Sequence, residues 1–286
     1  MIERPAYGRV FWTFVRNSLI RDMMFPANFI IETVSSFGWM MMNVGFYLLI
    51  FEYTSKIVPI EESGVIVDQY AAWDKYQFFV FIATSMIINS IVQMFFMTNA
   101  DEFSELIRTG NLDFALVKPI DTQFIISLRR VEWASLPNFL VAAVLMFYSL
   151  PHVIAFPPPV FVVVLYLFYV AAGVAILYSL TIVLAAASVW LGRNSSIYDF
   201  WFYITTFSRY PMEIYTGPVG IWLQRFFIFF VPILIVVNVP ARLLAKPLQT
   251  EYAYLAGYGI LATVASLAVS RWVFQRALAS YRSASS

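Results

Sequence analysis

The sequence predicts an all-α membrane protein with six transmembrane helices in a single domain. Of the 286 residues, 61% are hydrophobic and only 12% are charged, which lies outside the usual range of soluble domains. A membrane-spanning helix needs about 20 predominantly apolar residues, and several stretches of this length are present. The predicted spans cover residues 29–51, 76–98, 131–150, 160–191, 196–213 and 252–274.

The composition also excludes several kinds of catalytic site. The chain contains no cysteine and one histidine, so it offers no thiolate nucleophile and no histidine-rich metal site. The phosphate-binding pattern G-x-x-x-x-G-K-[ST] and the hydrolase pattern G-x-S-x-G are both absent from the sequence. We therefore expect no catalytic residues, no metal site and no cofactor bound by this chain. The net charge of +1 gives no indication of nucleic-acid binding.

An amphipathic interface helix is predicted over residues 5–22, before the first span. One side of this helix is apolar, whereas Arg9, Thr13, Arg16 and Asn17 share the other side. We expect Arg9 and Arg16 to face lipid phosphates or a partner protein. A plain lipid anchor and a partner contact both fit this pattern.

Polar residues form a stripe along each of the first two predicted spans. Ser36 and Asn43 lie on the first span, and Ser85, Asn89 and Gln93 recur every four residues on the second. Such stripes face protein or water and not lipid. These five residues are candidates for lining a pathway, although hydrogen bonds between helices, worth roughly 1 kcal/mol each, explain the stripes adequately and are the favoured interpretation for any single residue.

Residues 99–124, between the second and third spans, carry the densest run of charge. Asp101, Glu102 and Glu105 precede Arg108 as they would in the first turns of a short helix, where acidic side chains suit the positive end of the helix dipole. This stretch is predicted to begin with such a helix.

Gly110 and Pro119 are expected to end two consecutive short helices in this region. Glycine enters the left-handed conformation at a helix end without penalty, and proline displaces the preceding residue from helical geometry. The sequence therefore predicts a rigid element at the membrane surface that a partner can bind.

The same stretch resembles part of the ABC-2 type transporter permeases. The resemblance is carried by Ile107, Arg108, Gly110, Leu112, Asp113, Leu116, Lys118, Pro119 and Phe124, in the pattern I-R-x-G-x-L-D-x-x-L-x-K-P-x-x-x-x-F. In that family, the segment after the second span is a cytoplasmic coupling helix that rests on a separate ATP-hydrolysing subunit.

The resemblance implies the permease subunit of an ATP-driven exporter that forms the translocation pathway as a dimer. Its partners would be two ABC ATPase subunits, which bind ATP and Mg, a second permease copy or a related permease, and membrane lipid. The candidate docking residues are Asp101, Glu102, Glu105, Arg108, Gly110, Asp113, Lys118 and Pro119.

The C-terminal third allows two topologies. Cytoplasmic loops carry an excess of lysine and arginine. This rule alone places Arg209 and Arg225 in the cytoplasm and makes the apolar stretch 221–239 the fifth span. The resemblance implies instead a fifth span over 196–213, followed by a pair of re-entrant outer helices over 217–242. Prolines support broken helices in this region, and the re-entrant arrangement is favoured. These prolines are Pro211, Pro218, Pro232 and Pro240.

The re-entrant topology places 12 of the 18 basic residues inside. We therefore expect a multi-pass protein of the bacterial plasma (inner) membrane with both termini in the cytoplasm. The inner basic residues are Arg4, Arg9, Arg16, Arg21, Arg108, Lys118, Arg129, Arg130, Arg193, Arg271, Arg276 and Arg282.

Two other functions remain open from the sequence. One is a membrane scaffold that transports nothing. The other is an intramembrane lipid-modifying enzyme, for which Glu32, Glu132, Asp199 and His152 are the available side chains. Because these residues are scattered and His152 is predicted on the opposite side from the acids, a catalytic constellation is not expected.

Overall fold

A computed structural model describes residues 6–54, 56–57, 72–153, 158–191, 197–246 and 253–281. Within these ranges the regular secondary structure is helical apart from a short antiparallel ribbon of β1 (Lys56–Ile57) and β2 (Trp73–Asp74). The prediction of an all-α membrane protein is confirmed. Three predicted inner arginines, Arg4, Arg193 and Arg282, lie outside the described residues, as do position 5 of the interface helix, position 196 of the fifth span and position 252 of the sixth span.

The described α-helices follow the chain order of the prediction, with additional short helices around the coupling region. They are α1 (Tyr7–Met24), α2 (Pro26–Tyr53), α3 (Lys75–Val92), α4 (Thr98–Arg108), α5 (Leu112–Leu116), α6 (Thr122–Leu128), α7 (Leu136–Ser149), α8 (Val160–Leu191), α9 (Ile197–Thr206), α10 (Gly217–Arg225), α11 (Ile233–Ala245) and α12 (Ala253–Ser280).

Five helical segments in the described part of the chain are long and apolar enough to cross a membrane. They are Pro26–Tyr53, Lys75–Arg108, Trp133–His152, Val160–Leu191 and Ala253–Ser280. The second of these segments joins α3 to α4 through a π-helical segment. The third consists of α7 with a turn of 3-10 helix at each end.

The helix at the predicted fifth span, 196–213, is shorter than expected. α9 has ten residues, which cover about 15 Å at 1.5 Å per residue, or half of the hydrocarbon core. One turn of 3-10 helix follows, and the backbone is then extended at Tyr210. Pro211 accounts for this break, because proline disfavours helical geometry in the residue before it.

The region predicted to contain re-entrant outer helices is a bent helix pair. α10 continues through a π-helical segment to Phe230 and meets α11 at an angle of 88°. The bend lies at Val231 and Pro232. If this pair is one broken span, the described residues contain six candidate spans.

The main hydrophobic core lies between α3, α7, α8 and α11. α8 and α11 approach each other closely at Gly173, where an added Cβ atom would lie 2.8 Å from the carbonyl oxygen of Val236. α2 lies at the edge of this core, since only 11% of its most apolar stretch is buried. Most of the apolar side chains of α2 therefore face outward from the chain.

A second hydrophobic cluster joins the predicted coupling region to the ends of α8 and α12. The rings of Phe103 in α4 and Phe274 in α12 are 5.7 Å apart at its centre. This cluster fixes the region between the second and third spans against the bundle. Its buried members are Ala100, Phe103, Leu112, Ala115, Ile126, Ile182, Ala185, Ala186, Phe274 and Ala277.

Candidate functional site

The predicted coupling region does not begin with a separate helix. α3, the π-helical segment Gln93–Met97 and α4 form one continuous helical segment that ends at Arg108. The expectation that Asp101, Glu102 and Glu105 occupy the first turns of a new helix is therefore wrong. Backbone N–H groups there continue the preceding helix, so no free positive helix end faces these acids.

The π-helical segment is tied to the chain just before α7. The amide of Glu132 donates a hydrogen bond of 2.8 Å to the carbonyl oxygen of Met94. The side chain of Asn99 donates to the carbonyl oxygen of Arg130 over 2.7 Å and accepts from its amide over 2.9 Å. The buried Asn99 therefore pairs with the backbone on the opposite segment, and displacement of α4 would also displace the start of α7.

Gly110 separates α4 from α5 in a left-handed conformation, with φ of 70°. α5 ends before Pro119, and the Phe124 amide then donates to the Asp121 carboxylate over 3.0 Å, which caps α6. The chain reverses direction within a few residues here because it combines glycine, proline and a helix cap.

The docking candidates divide into an outward group and a group that faces the rest of the fold. Asp101, Glu105, Arg108, Lys118 and Pro119 are exposed. Glu105 and Arg108 form an ion pair with each other along the outer face of α4.

Two of the remaining candidates have internal contacts. Glu102 forms an ion pair of 3.1 Å with Arg130. Asp113 lies close to Tyr281, which follows α12. Burial raises the pKa of the Tyr281 hydroxyl, and the negative charge of Asp113 raises it further. Glu102 and Asp113 therefore brace the region internally.

The structure adds two apolar residues to this surface. Phe114 is 71% exposed and Val117 is 80% exposed, both at the α5 turn. Neither residue is indicated by a sequence pattern, because α5 is too short for a hydrophobic period. A groove of about 300 Å³ lies beside Phe114 and is lined by Glu102, Lys118 and Arg129 among other residues.

A polar network connects this region to α12 and α8. The guanidinium of Arg271 donates two hydrogen bonds to the Asp121 carboxylate, of 3.1 and 2.6 Å, and a third of 2.8 Å to Gln123. Gln123 and Ser127 both hydrogen-bond the hydroxyl of Tyr178 over 2.9 Å. The Arg271 ion pair lowers the pKa of Asp121 below its usual value.

The interface helix contacts the same region. In α1, Tyr7 packs edge-on against Phe124, with ring centroids 4.9 Å apart, and the buried hydroxyl of Ser18 accepts from the Val131 amide over 3.1 Å. Arg9 and Arg16 are exposed on the other side. α1 therefore has a protein-facing side and a basic outer side.

The five polar-stripe residues from the first two spans gather around one cavity of about 130 Å³. Asn43, Ser85, Asn89 and Gln93 line it directly. Ser36 accepts a 2.7 Å hydrogen bond from Asn138, which also lines the cavity. Hydrogen bonds within one helix satisfy part of the stripe, since the Asn89 amide donates to the Ser85 carbonyl over 2.8 Å.

Sequence reasoning missed the contribution of the fifth hydrophobic region to this cavity. Trp201 in α9 and Arg209 in the following turn line its far wall. The Arg209 guanidinium lies 4.8 Å from the ring centre of Phe202. The short length of α9 places this arginine beside the two polar stripes.

A buried ionic cluster joins the ribbon before α3 to the bent helix pair. Glu213 and Arg242 form an ion pair, and the Trp73 indole donates to Glu213 over 3.2 Å. The ammonium group of Lys246 lies 4.3 Å from the Trp73 ring centre. Because these residues are far apart in the sequence, no local pattern indicated the cluster.

The side chains considered for an enzyme do not converge. His152 stacks on Tyr76 at 4.2 Å, whereas Glu132 hydrogen-bonds Thr98 at the opposite end of α7. These positions are about 30 Å apart along the helical segment. Among the described residues, no group of three histidine or acidic side chains is placed to hold a metal ion.

The helical bundle and its candidate spans define a multi-pass membrane protein. The family model described as ABC-2 family transporter protein matches residues 39–285, and the chain therefore belongs to the ABC-2 transporter family. It is the membrane component of an ABC-type transport system, and this component carries no ATPase of its own. ABC-2 permeases generally partner with ATPase subunits. No curated protein and no solved structure matches the chain significantly.

Proposed function

We propose that this chain is the permease subunit of an ATP-driven exporter and that separate ATPase subunits drive it through residues 99–124. The single observation that carries this proposal is the exposed turn at Phe114 and Val117, held on a region that is packed against the bundle. Exposed aromatic and apolar residues with a polar rim are typical of protein-binding surfaces.

The proposed docking surface consists of Phe114 and Val117 surrounded by charge. Asp101, Glu105, Arg108 and Lys118 provide the charged rim. Gly110 and Pro119 shape the turn that presents the two apolar side chains. Two ATPase subunits, each with ATP and Mg, would bind one such surface on each permease.

Motion at this surface would reach the spans through contacts within the chain. α4 continues directly into α3, Asn99 connects it to the start of α7, and Asp121 connects the next turn to α12. ATP binding changes the permease only if the ATPase pair binds one of its conformations more tightly. The three connections would convert that preference into helix movement.

The pathway would form between two permeases, either identical or related. α2 carries outward-facing apolar side chains together with Asn43 of the polar cavity. A partner packed near α2 would enclose this cavity, whereas lipid would cover the remaining apolar surface. The proposed residues along the pathway are Ser36, Asn43, Ser85, Asn89 and Gln93.

The proposed setting is the bacterial plasma membrane, with residues 99–124 and both termini in the cytoplasm. Arg9 and Arg16 of α1 would then face inner-leaflet phosphates or the ATPase. The bent pair α10–α11 would lie on the outer side as a re-entrant element, since its 88° angle leaves polar backbone that protein or water must cover.

Co-purification tests the docking assignment. The tagged chain should retain an ATP-binding subunit, identified by its own phosphate-binding loop, and the double variant Arg108→Ala with Lys118→Ala should lose it. Arg276→Ala is a matched control, since Arg276 is exposed on α12 and stacks on Trp272. Full retention and full ATP-dependent transport in the double variant would refute the assignment. Transport in vesicles with and without ATP separates a permease from a scaffold.

A further inference from the structure

We propose that the cavity between α2, α3 and α9 binds the acidic head group of an amphipathic anion and that Arg209 is its ligand. This inference rests on the proposed function, because it names the class of molecule that the permease would carry. The ligand is a compact phosphate or carboxylate attached to a hydrocarbon tail.

The charge of the cavity is the first argument. Arg209 lines it, no acidic side chain is among the lining residues, and no ion pair joins Arg209 to a carboxylate in the described ranges. The contact with the face of Phe202 orients the guanidinium but leaves its N–H donors available to other groups. Arg209 shares this cavity with residues of two candidate spans, and basic side chains that face a polar cavity between spans mark substrate pathways.

The amide side chains around Arg209 are the second argument. Asn43, Asn89 and Gln93 line the same cavity, and each side-chain amide carries two N–H donors. The amides of Asn43 and Asn89 each use one donor on a carbonyl oxygen of their own helix, over 2.8 Å. The second donor of each can pair with the oxygens of an anionic head group.

The volume of the cavity and its apolar lining residues determine the size of the ligand. The residues of α3 and of the following π-helical segment that line the cavity lie between Ile82 and Gln93, about 16 Å at 1.5 Å per residue. Its volume of about 130 Å³ corresponds to about four water molecules, enough for a head group but not for a whole lipid. Trp39 and Met40 line the side formed by α2, where an apolar tail can continue along the outward face.

Direct binding to the purified full chain in lipid nanodiscs tests this inference. The probes are radiolabelled dodecyl phosphate, dodecanoate, dodecyltrimethylammonium and inorganic phosphate. Wild-type protein should bind the two alkyl anions saturably and the other two probes at least about tenfold more weakly, a difference of about 1.4 kcal/mol. Equal binding of the ammonium probe would overturn the charge assignment. Equal binding of inorganic phosphate would overturn the requirement for a tail.

Variants of the arginine identify the ligand group. Arg209→Gln should weaken both alkyl anions by about tenfold or more, since it removes a charge-assisted hydrogen bond, whereas Arg209→Lys should retain part of the affinity. Arg225→Gln is the matched control, because Arg225 is exposed at the end of α10, and it should bind as wild type does. Unchanged binding by Arg209→Gln would overturn the proposal.

A second measurement keeps the test valid if Arg209→Gln folds poorly. The chain has no native cysteine, so Asn89→Cys provides a single label site in the cavity with Arg209 intact. Dodecyl phosphate should slow maleimide labelling of this cysteine, and dodecyltrimethylammonium should not. Equal labelling with and without dodecyl phosphate would contradict the proposed site.

These outcomes are separate from those that test the permease assignment. ATP-dependent transport without anion binding would leave the permease function intact and refute the ligand class. Saturable anion binding that depends on Arg209, without ATP-dependent transport, would support the binding site and refute the exporter.

Discussion

Arg271 in the last span and Asp121 in the coupling region form a two-bond ion pair, of 3.1 and 2.6 Å. The two residues are 150 positions apart in the sequence. The same guanidinium also bonds Gln123, which contacts α8 through Tyr178. This pair is a direct charged link between the coupling region and the C-terminal helix.

Replacing Arg271 by glutamine should uncouple ATP hydrolysis from transport. The variant loses the two-bond contact, whereas the docking surface around Phe114 is untouched. We expect the complex to assemble and hydrolyse ATP while transport per ATP hydrolysed falls severalfold. The rate of ATP hydrolysis and the rate of transport are measured on the same vesicles. Arg276→Gln, five residues further on α12, is the control and should behave as wild type; an equally coupled Arg271→Gln complex would contradict the role.

The stabilisation that Asp121 provides should depend on pH. Its pKa is lowered, chiefly by the hydrogen bond from Arg271, so the folded state favours the carboxylate. The contribution is complete above the usual aspartate pKa of about 4 and is lost as the pH falls through the lowered value. The thermal unfolding temperatures of wild type and Asp121→Asn should differ at pH 7 and converge at pH values below the lowered pKa of Asp121. A difference that persists at the lowest pH would refute the linkage.

Truncation of Phe114 should weaken ATPase binding. This side chain is 71% exposed, and a central aromatic in an interface contributes about 2 kcal/mol or more, about a 30-fold change in Kd. The Kd of the Phe114→Ala variant is measured by titrating the purified ATPase onto vesicles that contain it. The control is Phe161→Ala, because Phe161 is 66% exposed at the other end of the bundle, on α8. Equal losses for both variants would show a general effect of removing phenylalanine.

Substitution of Gly173 by alanine should destabilise the bundle. The new methyl group would lie 2.8 Å from the backbone carbonyl of Val236, which belongs to a packed helix and cannot move aside alone. Such overpacking costs about 1–3 kcal/mol. Gly257→Ala in α12 meets nothing within 4 Å and should keep the wild-type unfolding temperature. Both are compared by thermal unfolding in detergent, and equal temperatures would contradict the close packing.

Helix positions were largely predictable from the sequence because long apolar runs leave few alternatives in a bilayer. The helix α8 begins at Val160 and ends at Leu191, as the hydrophobic run indicates. The continuous segment through Met97 was not predictable, because a π-helical segment has no composition that distinguishes it from a helix end. The length of α9 was overestimated, since the predicted span 196–213 extends past Pro211 whereas the helix ends at Thr206.

The site was predictable only where its residues follow a local period. Ser85, Asn89 and Gln93 lie one helical turn apart and line one cavity. Arg209 reaches that cavity from a distant segment, and Trp73 approaches Glu213 across 140 positions. Exposure of Phe114 depends on which side of α5 is covered by α4 and α6. Tertiary packing determines the position of Arg209, the contact between Trp73 and Glu213 and the exposure of Phe114. No local pattern in a single sequence indicates such packing.

Cysteine labelling at position 117 tests the central claim most directly. Val117→Cys places a single thiol beside Phe114 on the proposed docking surface, in a chain that has no other cysteine. A membrane-impermeant maleimide should label it in inside-out vesicles stripped of ATPase, fail to label it in right-side-out vesicles, and label it much more slowly once the purified ATPase is added back. Labelling from the extracellular side, or a labelling rate that the ATPase leaves unchanged, would contradict the account.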